Sequence, residues 1–280
     1  PMPSPPPQDA QNREPVVVVE GLVASYGDQR VLNDVSMTVH RGEVMVILGG
    51  SGSGKSTLQK CNLGIHRPDA GSVKVLGVDI WTATEEERDE IYKKVGIVYQ
   101  GGALFGSLTV AENVALPLQE HTELAAQIVQ IAVRKKLGLV GLAGFENRLP
   151  SELSGGQAKR VAFARAIALD PEVLFCDEPS AGLDPRIARG IDDLILNLNK
   201  AFNMAILVVT HEMESVKVIA DRITMLVPKA GGAKVAFSGT YEEMEACTEE
   251  AVRDFVSRAP LREPRAEARE ILRQLTGEGG

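Results

Sequence analysis

The chain has 280 residues, 44% of them hydrophobic, with 30 Lys and Arg against 38 Asp and Glu and a formal net charge of −8. These values argue against a disordered chain. The acidic balance disfavours broad nucleic-acid binding, which needs Lys and Arg to displace counterions, so we expect no nucleic-acid partner. Three widely spaced cysteines give neither a disulfide framework nor a CxxC metal site. We also expect no membrane span, since the apolar runs are far shorter than the roughly 20 residues required, and no secretory signal.

The first predicted elements follow a Pro-rich segment. Residues 1–14 offer almost no apolar side chains for burial, which predicts a disordered tail, with order beginning at about residue 16. Val35, Met37 and Val39 alternate with polar residues, the period of a half-buried strand. Val44–Leu48 is continuously apolar, which is typical of a strand buried on both faces of a parallel sheet.

A glycine-rich segment that fits GxxxxGK[ST] follows this strand. Glycines let the backbone curl so that its N–H groups face a phosphate, and the next helix adds its positive N-terminal end. Lys55 is predicted to reach the β- and γ-phosphates, and the Ser56 hydroxyl to coordinate Mg²⁺. The alternative interpretation is a plain Gly/Ser linker. The predicted phosphate loop comprises Gly49, Gly50, Ser51, Gly52, Ser53, Gly54, Lys55, Ser56 and Thr57.

Short apolar runs then alternate with helical patterns, which predicts an α/β core with a parallel sheet. Residues 103–153 are richer in helical pattern and predict a helical insertion. Thr84 and Glu87 have the spacing of a capping box. The predicted strands are 96–99, 173–176 and 205–209; the predicted helices are 84–94, 158–169 and 186–202; and 223–227 with 234–237 form a predicted hairpin.

Two further segments carry candidate chemistry. The run ending at Cys176 is followed by Asp177, predicted to hold Mg²⁺, and by Glu178, predicted to orient or deprotonate the attacking water. Two acidic residues in a surface loop are the alternative. Small residues at 153–157 leave backbone amides free to hold a phosphate before a helix that we expect to start at Ala158, although a simple cap and turn also fits.

This ordered set resembles the ATP-binding subunit of ABC transporters over about residues 16–255. The resemblance implies a P-loop NTPase (RecA-like) parallel-sheet core with an antiparallel β subdomain and an α-helical subdomain, binding ATP and Mg²⁺. It implies an ATPase domain at 15–246, its helical subdomain at about 101–158, and a C-terminal helical extension at 247–280. The residues implied are Tyr26 for adenine stacking, Gln100 for Mg²⁺ contact and partner sensing, the signature motif with Ser154, Gly155, Gly156 and Gln157, the D-loop with Asp184, and His211 at the γ-phosphate.

The family resemblance also implies a mechanism. Two copies pair head to tail, and each ATP is clamped between the phosphate loop of one copy and residues 154–157 of the other. Lys55, Gln100, Glu178 and His211 are then the predicted catalytic residues.

A finer resemblance, to the MlaF/Mkl group of Mce-type phospholipid transporters, lies in residues 100–105, 112–118, 120–122 and 148–152. It implies a peripheral ATPase at the cytoplasmic face of the inner membrane that maintains outer-membrane lipid asymmetry. The implied partners are an MlaE-like permease, an MCE-domain lipid-binding protein and, in some members, the STAS-domain protein MlaB. Gln157 departs from the group, since several relatives have Met there.

Several alternatives remain open at this point. The chain could be the ATPase of another importer, for amino acids or metal chelates, or a soluble cassette acting in gene regulation or assembly. Residues 103–117 could simply pack as helices, and residues 266–275 form either a frayed helix or a tail that packs on the partner ATPase.

Overall fold

The computed structural model describes residues 13–257, so nearly all of the predicted N-terminal tail and the predicted 266–275 helix lie outside the described residues. The strands are β1 (Pro15–Tyr26), β2 (Gln29–His40), β3 (Val44–Leu48), β4 (Ala70–Val75), β5 (Val78–Asp79), β6 (Val95–Val98), β7 (Val173–Asp177), β8 (Ala205–Val209), β9 (Arg222–Val227) and β10 (Lys234–Gly239). The helices are α1 (Lys55–Asn62), α2 (Glu85–Tyr92), α3 (Val110–His121), α4 (Ala126–Leu139), α5 (Gly155–Ala166), α6 (Pro185–Phe202), α7 (Met213–Ile219), α8 (Tyr241–Glu245) and α9 (Glu250–Val256), with a 3-10 turn at Pro150–Glu152.

Two sheets organise these elements. The six-stranded sheet has the order β10-β9-β3-β8-β7-β6. Its strands pair in parallel from β9 to β6, whereas β10 pairs antiparallel with β9 as the predicted hairpin. The four-stranded sheet, of order β2-β1-β4-β5, is antiparallel throughout. The predicted fold class, a parallel-sheet core with an antiparallel β subdomain and added helices, is therefore confirmed.

The central strand β3 contributes to two hydrophobic cores because its successive side chains point to opposite faces. Val44, Val46 and Leu48 lie in the cluster that includes residues of α5 and α6. Met45 and Ile47 lie in a second cluster, with the antiparallel sheet and α1. This explains why the strand is apolar without alternation, as the sequence predicts.

Helix α5 begins earlier than expected from the sequence. The prediction placed residues 154–157 before a helix starting at Ala158, but α5 runs from Gly155 to Ala166, so that prediction is wrong. Ser154 is the N-cap: its hydroxyl accepts from the Gln157 N–H, and the Gln157 side chain accepts from the Ser154 N–H. This capping box satisfies two N–H groups at the start of the helix and so fixes where α5 begins, although its first two residues are glycines. The capping box predicted for Thr84 and Glu87 is confirmed.

Candidate functional site

The candidate site lies where parallel strands end together. Ile47 of β3 and Asp177 of β7 both pair with Val209 of β8. The segments that follow these strands therefore emerge at one edge of the sheet, the place where α/β folds bind ligands. This brings residues 49–57, Glu178 and His211 together. Val98 of β6 pairs with Cys176, which places Gln100 at the same edge.

The phosphate loop closes tightly around glycines. A Cβ on Gly49 would lie 2.5 Å from both Ser53 Oγ and the Leu226 carbonyl, and a Cβ on Gly54, at a φ of +87°, would lie 2.6 Å from a Leu32 methyl. Neither position accepts a side chain. The sequence pattern therefore has a steric reason in this fold.

The loop fits a phosphate ligand. Lys55 Nζ donates to the carbonyls of Gly49 and Gly50 at 2.8 and 3.0 Å, which holds the ammonium within the loop. Ser53 Oγ is buried and has no hydrogen-bond partner among the described residues, so its hydroxyl can donate to an oxygen of a bound phosphate. Burial lowers the pKa of Lys55, while the nearby charges of Glu178 and Asp177 oppose that shift. Ser51, Gly52 and Ser56 are exposed and Thr57 is buried beneath the loop.

Glu178 is held in a constrained conformation just after β7. Its φ of +46° is uncommon outside glycine and costs about 1–3 kcal/mol, a cost that clusters at functional sites. The carboxylate is buried and accepts from Thr210 Oγ1 at 3.3 Å. His211 Nδ1 lies 2.7 Å from the other carboxylate oxygen, to which the imidazole donates because a carboxylate oxygen only accepts. The structure thus brings Glu178 and His211 into direct contact.

Asp177 is half-buried beside the phosphate loop. Burial raises its pKa and the Glu178 charge adds to the shift, while Lys159 and Lys55 oppose it. With the hydroxyl of Ser56 and the amide of Gln100, this carboxylate offers only oxygen donors, which is what Mg²⁺ prefers beside a nucleotide. Within residues 13–257 no cluster of three or more His, Cys, Asp or Glu residues could hold a metal alone. The donor set therefore fits Mg²⁺ shared with phosphate oxygens.

The signature residues have local partners in the same chain. Ser154 and Gln157 use their side chains to cap α5, as described above. A Cβ on Gly156 would lie 2.4 Å from Ile187, so α5 and α6 pack closely at this point. Asp184, the predicted D-loop residue, caps α6 by accepting from the N–H groups of Arg186 and Ile187 at 3.0 and 3.2 Å.

Tyr26, the predicted adenine-stacking residue, is 45% exposed at the end of β1. One face of its ring stacks on His66, with centroids 4.3 Å apart and planes inclined by 26°. The His66 ring is held by Nε2, which lies 3.0 Å from the Ser25 carbonyl. No local sequence pattern connects His66 to Tyr26, forty residues earlier in the chain, so this contact was not predicted.

Lys159 also lies at the site, although it is not among the predicted residues. Its side chain is buried and donates to two backbone carbonyls, those of Gln100 and Glu178. Burial lowers the pKa of its ammonium, opposed by the charges of Asp177 and Glu178. Adjacency to the signature motif was the signal that could have directed attention to it.

Comparison with known proteins identifies the family. The family model described as ABC transporter matches residues 32–181. The chain belongs to the ABC transporter family. It therefore carries an ATPase domain of the ABC type, as the sequence predicts.

Curated relatives of this ABC ATPase differ in their named roles. A probable ribonucleotide transport ATP-binding protein, mkl, of Mycobacterium tuberculosis is 39% identical over 86% of this chain and 66% of its own length. The intermembrane phospholipid transport ATP-binding protein MlaF of Haemophilus influenzae is 39% identical over 82% of this chain and 85% of its own. The methionine import ATP-binding protein MetN 4 of Oceanobacillus iheyensis is 41% identical over 75% of this chain and 60% of its own.

Solved ABC ATPase structures share the fold. CbiO1 of Clostridium perfringens, part of the cbiONQ transporter complex, is 30% identical with a TM-score of 0.75 over 88% of this chain and 96% of its own. The ATP-binding cassette MJ0796, in a dimeric post-hydrolysis state with ADP and Pi, is 30% identical with a TM-score of 0.71 over 80% of this chain and 98% of its own. None of the helices between residues 13 and 257 has the length and apolarity that crossing a bilayer requires.

A buried carboxylate, Asp192 on α6, lines the same pocket as His211. It is 4% exposed, Ser215 Oγ donates to one of its oxygens at 3.1 Å, and the other has no partner among the described residues. Burial raises the pKa of Asp192 to about 6. Since this exceeds the unfolded value of about 4, the folded state binds more protons between these pH values, and the stabilising contribution is lost as pH rises through 6.

We therefore expect the ionisation of Asp192 to lower the free energy of unfolding by about 1 kcal/mol as the pH is raised from 5 to 8. Chemical denaturation of the wild type and of Asp192→Asn at several pH values measures this difference. The control is Asp193→Asn, which removes the neighbouring exposed carboxylate and should leave the wild-type pH dependence in place. An Asp192→Asn variant with the same pH dependence as wild type would contradict the prediction.

Proposed function

We propose that this ABC ATPase hydrolyses ATP with Mg²⁺ to power phospholipid transport by an Mce-type transporter at the cytoplasmic face of the inner membrane, maintaining outer-membrane lipid asymmetry. The observation that carries the proposal is the similarity to the phospholipid transport protein of Haemophilus influenzae, which extends over 82% of this chain and 85% of that protein. The segments at 100–105, 112–118, 120–122 and 148–152 support it, because they resemble the same group.

In this proposal the site residues divide the work. The backbone amides of residues 49–57 and the Lys55 ammonium bind the β- and γ-phosphates, and Tyr26 stacks on adenine. Ser56, Gln100 and Asp177 hold Mg²⁺, which when bound neutralises phosphate charge. Glu178 orients the attacking water and accepts its proton. His211 donates to Glu178 and so fixes the direction of the carboxylate.

A second copy of the chain completes each site. Residues 154–157 lie at the start of α5, where the N–H groups of Gly155 and Gly156, which the capping box does not use, suit a phosphate. We propose that they bind the nucleotide held by the phosphate loop of the partner subunit in a head-to-tail dimer. The dimeric state of the similar MJ0796 cassette supports this arrangement. We also propose an ATPase domain at 15–246, its helical subdomain at about 101–158, and an extension at 247–280 that begins with α9.

The loop before α3 is the proposed docking point for an MlaE-like permease. Phe105 is 52% exposed at its tip. The buried Asn113 side chain accepts from the Phe105 N–H at 2.8 Å and donates to the carbonyls of Phe105, Leu108 and Thr109 at 3.0–3.1 Å. The loop is thus held rigid while it presents an aromatic side chain, as an interface anchor requires. An MCE-domain protein, and in some systems an MlaB-like STAS protein, complete the proposed complex.

A second candidate is the ATPase of a solute importer, because the methionine import relative is 41% identical over 75% of this chain. Affinity purification of the tagged full-length chain from gently solubilised membranes, with mass spectrometry of proteins and lipids, separates the two. We expect a permease, an MCE-domain protein and co-purified phospholipid. Recovery of a periplasmic solute-binding protein instead would support the importer. Recovery of no membrane protein would contradict both transport functions.

A matched pair of variants tests whether permease recovery depends on the proposed docking loop. Phe105→Ser removes the exposed aromatic of the proposed docking loop and is expected to reduce permease recovery at least tenfold, as loss of a buried aromatic anchor does. Phe202→Ser removes an aromatic that is 40% exposed at the end of α6 and should leave recovery unchanged.

A further inference from the structure

Lys159 joins three parts of the fold that are distant in the sequence. It lies on α5, five residues after the Ser154 N-cap, and only 7% of it is exposed. Its ammonium donates to the Gln100 carbonyl, after β6, and to the Glu178 carbonyl, after β7, the latter at 3.3 Å. An ammonium is costly to bury without partners, so these two carbonyls and the nearby carboxylates of Asp177 and Glu178 explain how the site accommodates it.

The same helix holds the rest of the segment that follows Gln100. Arg165 donates to the carbonyls of Gly102 and Ala103 at 2.8 and 2.7 Å. Ala103 has a φ of +48°, a strained conformation for a residue with a Cβ, so these bonds keep the backbone in a form it would otherwise leave. Side chains of α5 therefore hold residues 100–103 against the helix in this structure.

The contact with Glu178 matters because the backbone there is also strained. The Glu178 N–H donates to the Val209 carbonyl at 2.8 Å, and the Glu178 carbonyl accepts from Lys159. These bonds fix the peptide groups on both sides of a residue with a φ of +46°. Since the side chain leaves from that Cα, its direction depends on both bonds.

We propose that Lys159 is a positioning residue for hydrolysis: it fixes the Glu178 backbone, and so aims the Glu178 carboxylate, when the 100–103 segment is seated against α5. A displacement of that segment by a bound partner then changes the alignment of the carboxylate within the same chain. The inference rests on ATP hydrolysis by this chain and not on the transported substrate, so an assay of ATP turnover tests it independently of phospholipid transport.

The test compares Lys159→Met with Lys159→Arg in the purified full-length chain. Loss of the two hydrogen bonds in Lys159→Met is expected to lower kcat about tenfold, because a misplaced reacting group costs at least that much. The Kd for ATP should stay within about twofold of wild type, because Lys159 does not line the phosphate loop. Lys159→Arg keeps a charged donor and should recover most of kcat. The kcat is expressed per molecule that binds ATP, and Lys159→Leu, which also lacks a donor, replaces Lys159→Met should the latter not fold.

Arg160→Met is the matched control. Arg160 also donates from α5 to two carbonyls at 2.9 Å, those of Val140, which follows α4 directly, and of Gly190 in α6, and both lie outside the site. Its loss should lower the melting temperature and leave kcat per folded molecule unchanged. Wild-type kcat in Lys159→Met, or an equal loss of kcat in Arg160→Met, would overturn the positioning role.

Discussion

Replacement of Glu178 by Gln is expected to reduce ATP turnover by about 10²- to 10⁴-fold, the usual contribution of a positioned general base. The amide keeps the shape of the carboxylate and can still accept from His211 Nδ1, which lies 2.7 Å from Glu178 Oε1 in the wild type. The fold and the phosphate loop are therefore retained, and ATP binding should be unchanged. Steady-state hydrolysis and equilibrium ATP binding, measured on the same preparation, separate the two effects.

The oligomeric state of Glu178→Gln in the presence of ATP provides a second measurement. Because hydrolysis and product release are expected to reopen the dimer, Glu178→Gln should accumulate as a closed dimer in ATP, visible by size-exclusion chromatography. Glu172→Gln is the control, since Glu172 immediately precedes β7, whereas Glu178 follows it. Normal turnover in Glu178→Gln would show that another group takes the proton.

Replacement of Lys55 by Ala is expected to weaken ATP binding by about 10²- to 10³-fold. A hydrogen bond to a charged group contributes about 1.5–3 kcal/mol, and the ammonium, which donates to two loop carbonyls in the structure, is placed to reach two phosphates. Titration of the purified chain with a fluorescent ATP analogue measures the change. Lys93→Ala, which removes an exposed charge at the end of α2, should bind as wild type does. Unchanged affinity in Lys55→Ala would contradict the phosphate-loop assignment.

The sequence predicted the elements whose pattern is local. Val44–Leu48 and Ala205–Val209 are strands with the predicted bounds, since a run of apolar residues between turn signals has few other solutions in an α/β fold. Residues 49–57 follow β3 and lead into α1, as the GxxxxGK[ST] pattern predicts for this segment. Glu178 and His211 follow β7 and β8, which pair in parallel, so the two residues lie at the same edge of the sheet.

Contacts that depend on tertiary structure were not predictable. The start of α5 was misplaced because Gly155 and Gly156 are poor helix formers, whereas the Ser154 and Gln157 cap outweighs that local preference. The stacking of His66 on Tyr26 joins residues of β1 and the turn after α1, which no periodicity connects. The contacts of Lys159 could not be predicted for the same reason, since its partners, the carbonyls of Gln100 and Glu178, follow two different strands.

Helix α5 has a consequence for communication between two nucleotide sites. Ser154 at its first turn is directed to the nucleotide of a second copy in the proposed dimer, while Lys159, about 7.5 Å further along the axis, contacts the backbone of Glu178 in its own copy. A rotation of this one helix would alter both contacts at once. We therefore expect occupancy of one site to be thermodynamically linked to alignment of the other through the turn and a half of helix between Ser154 and Lys159.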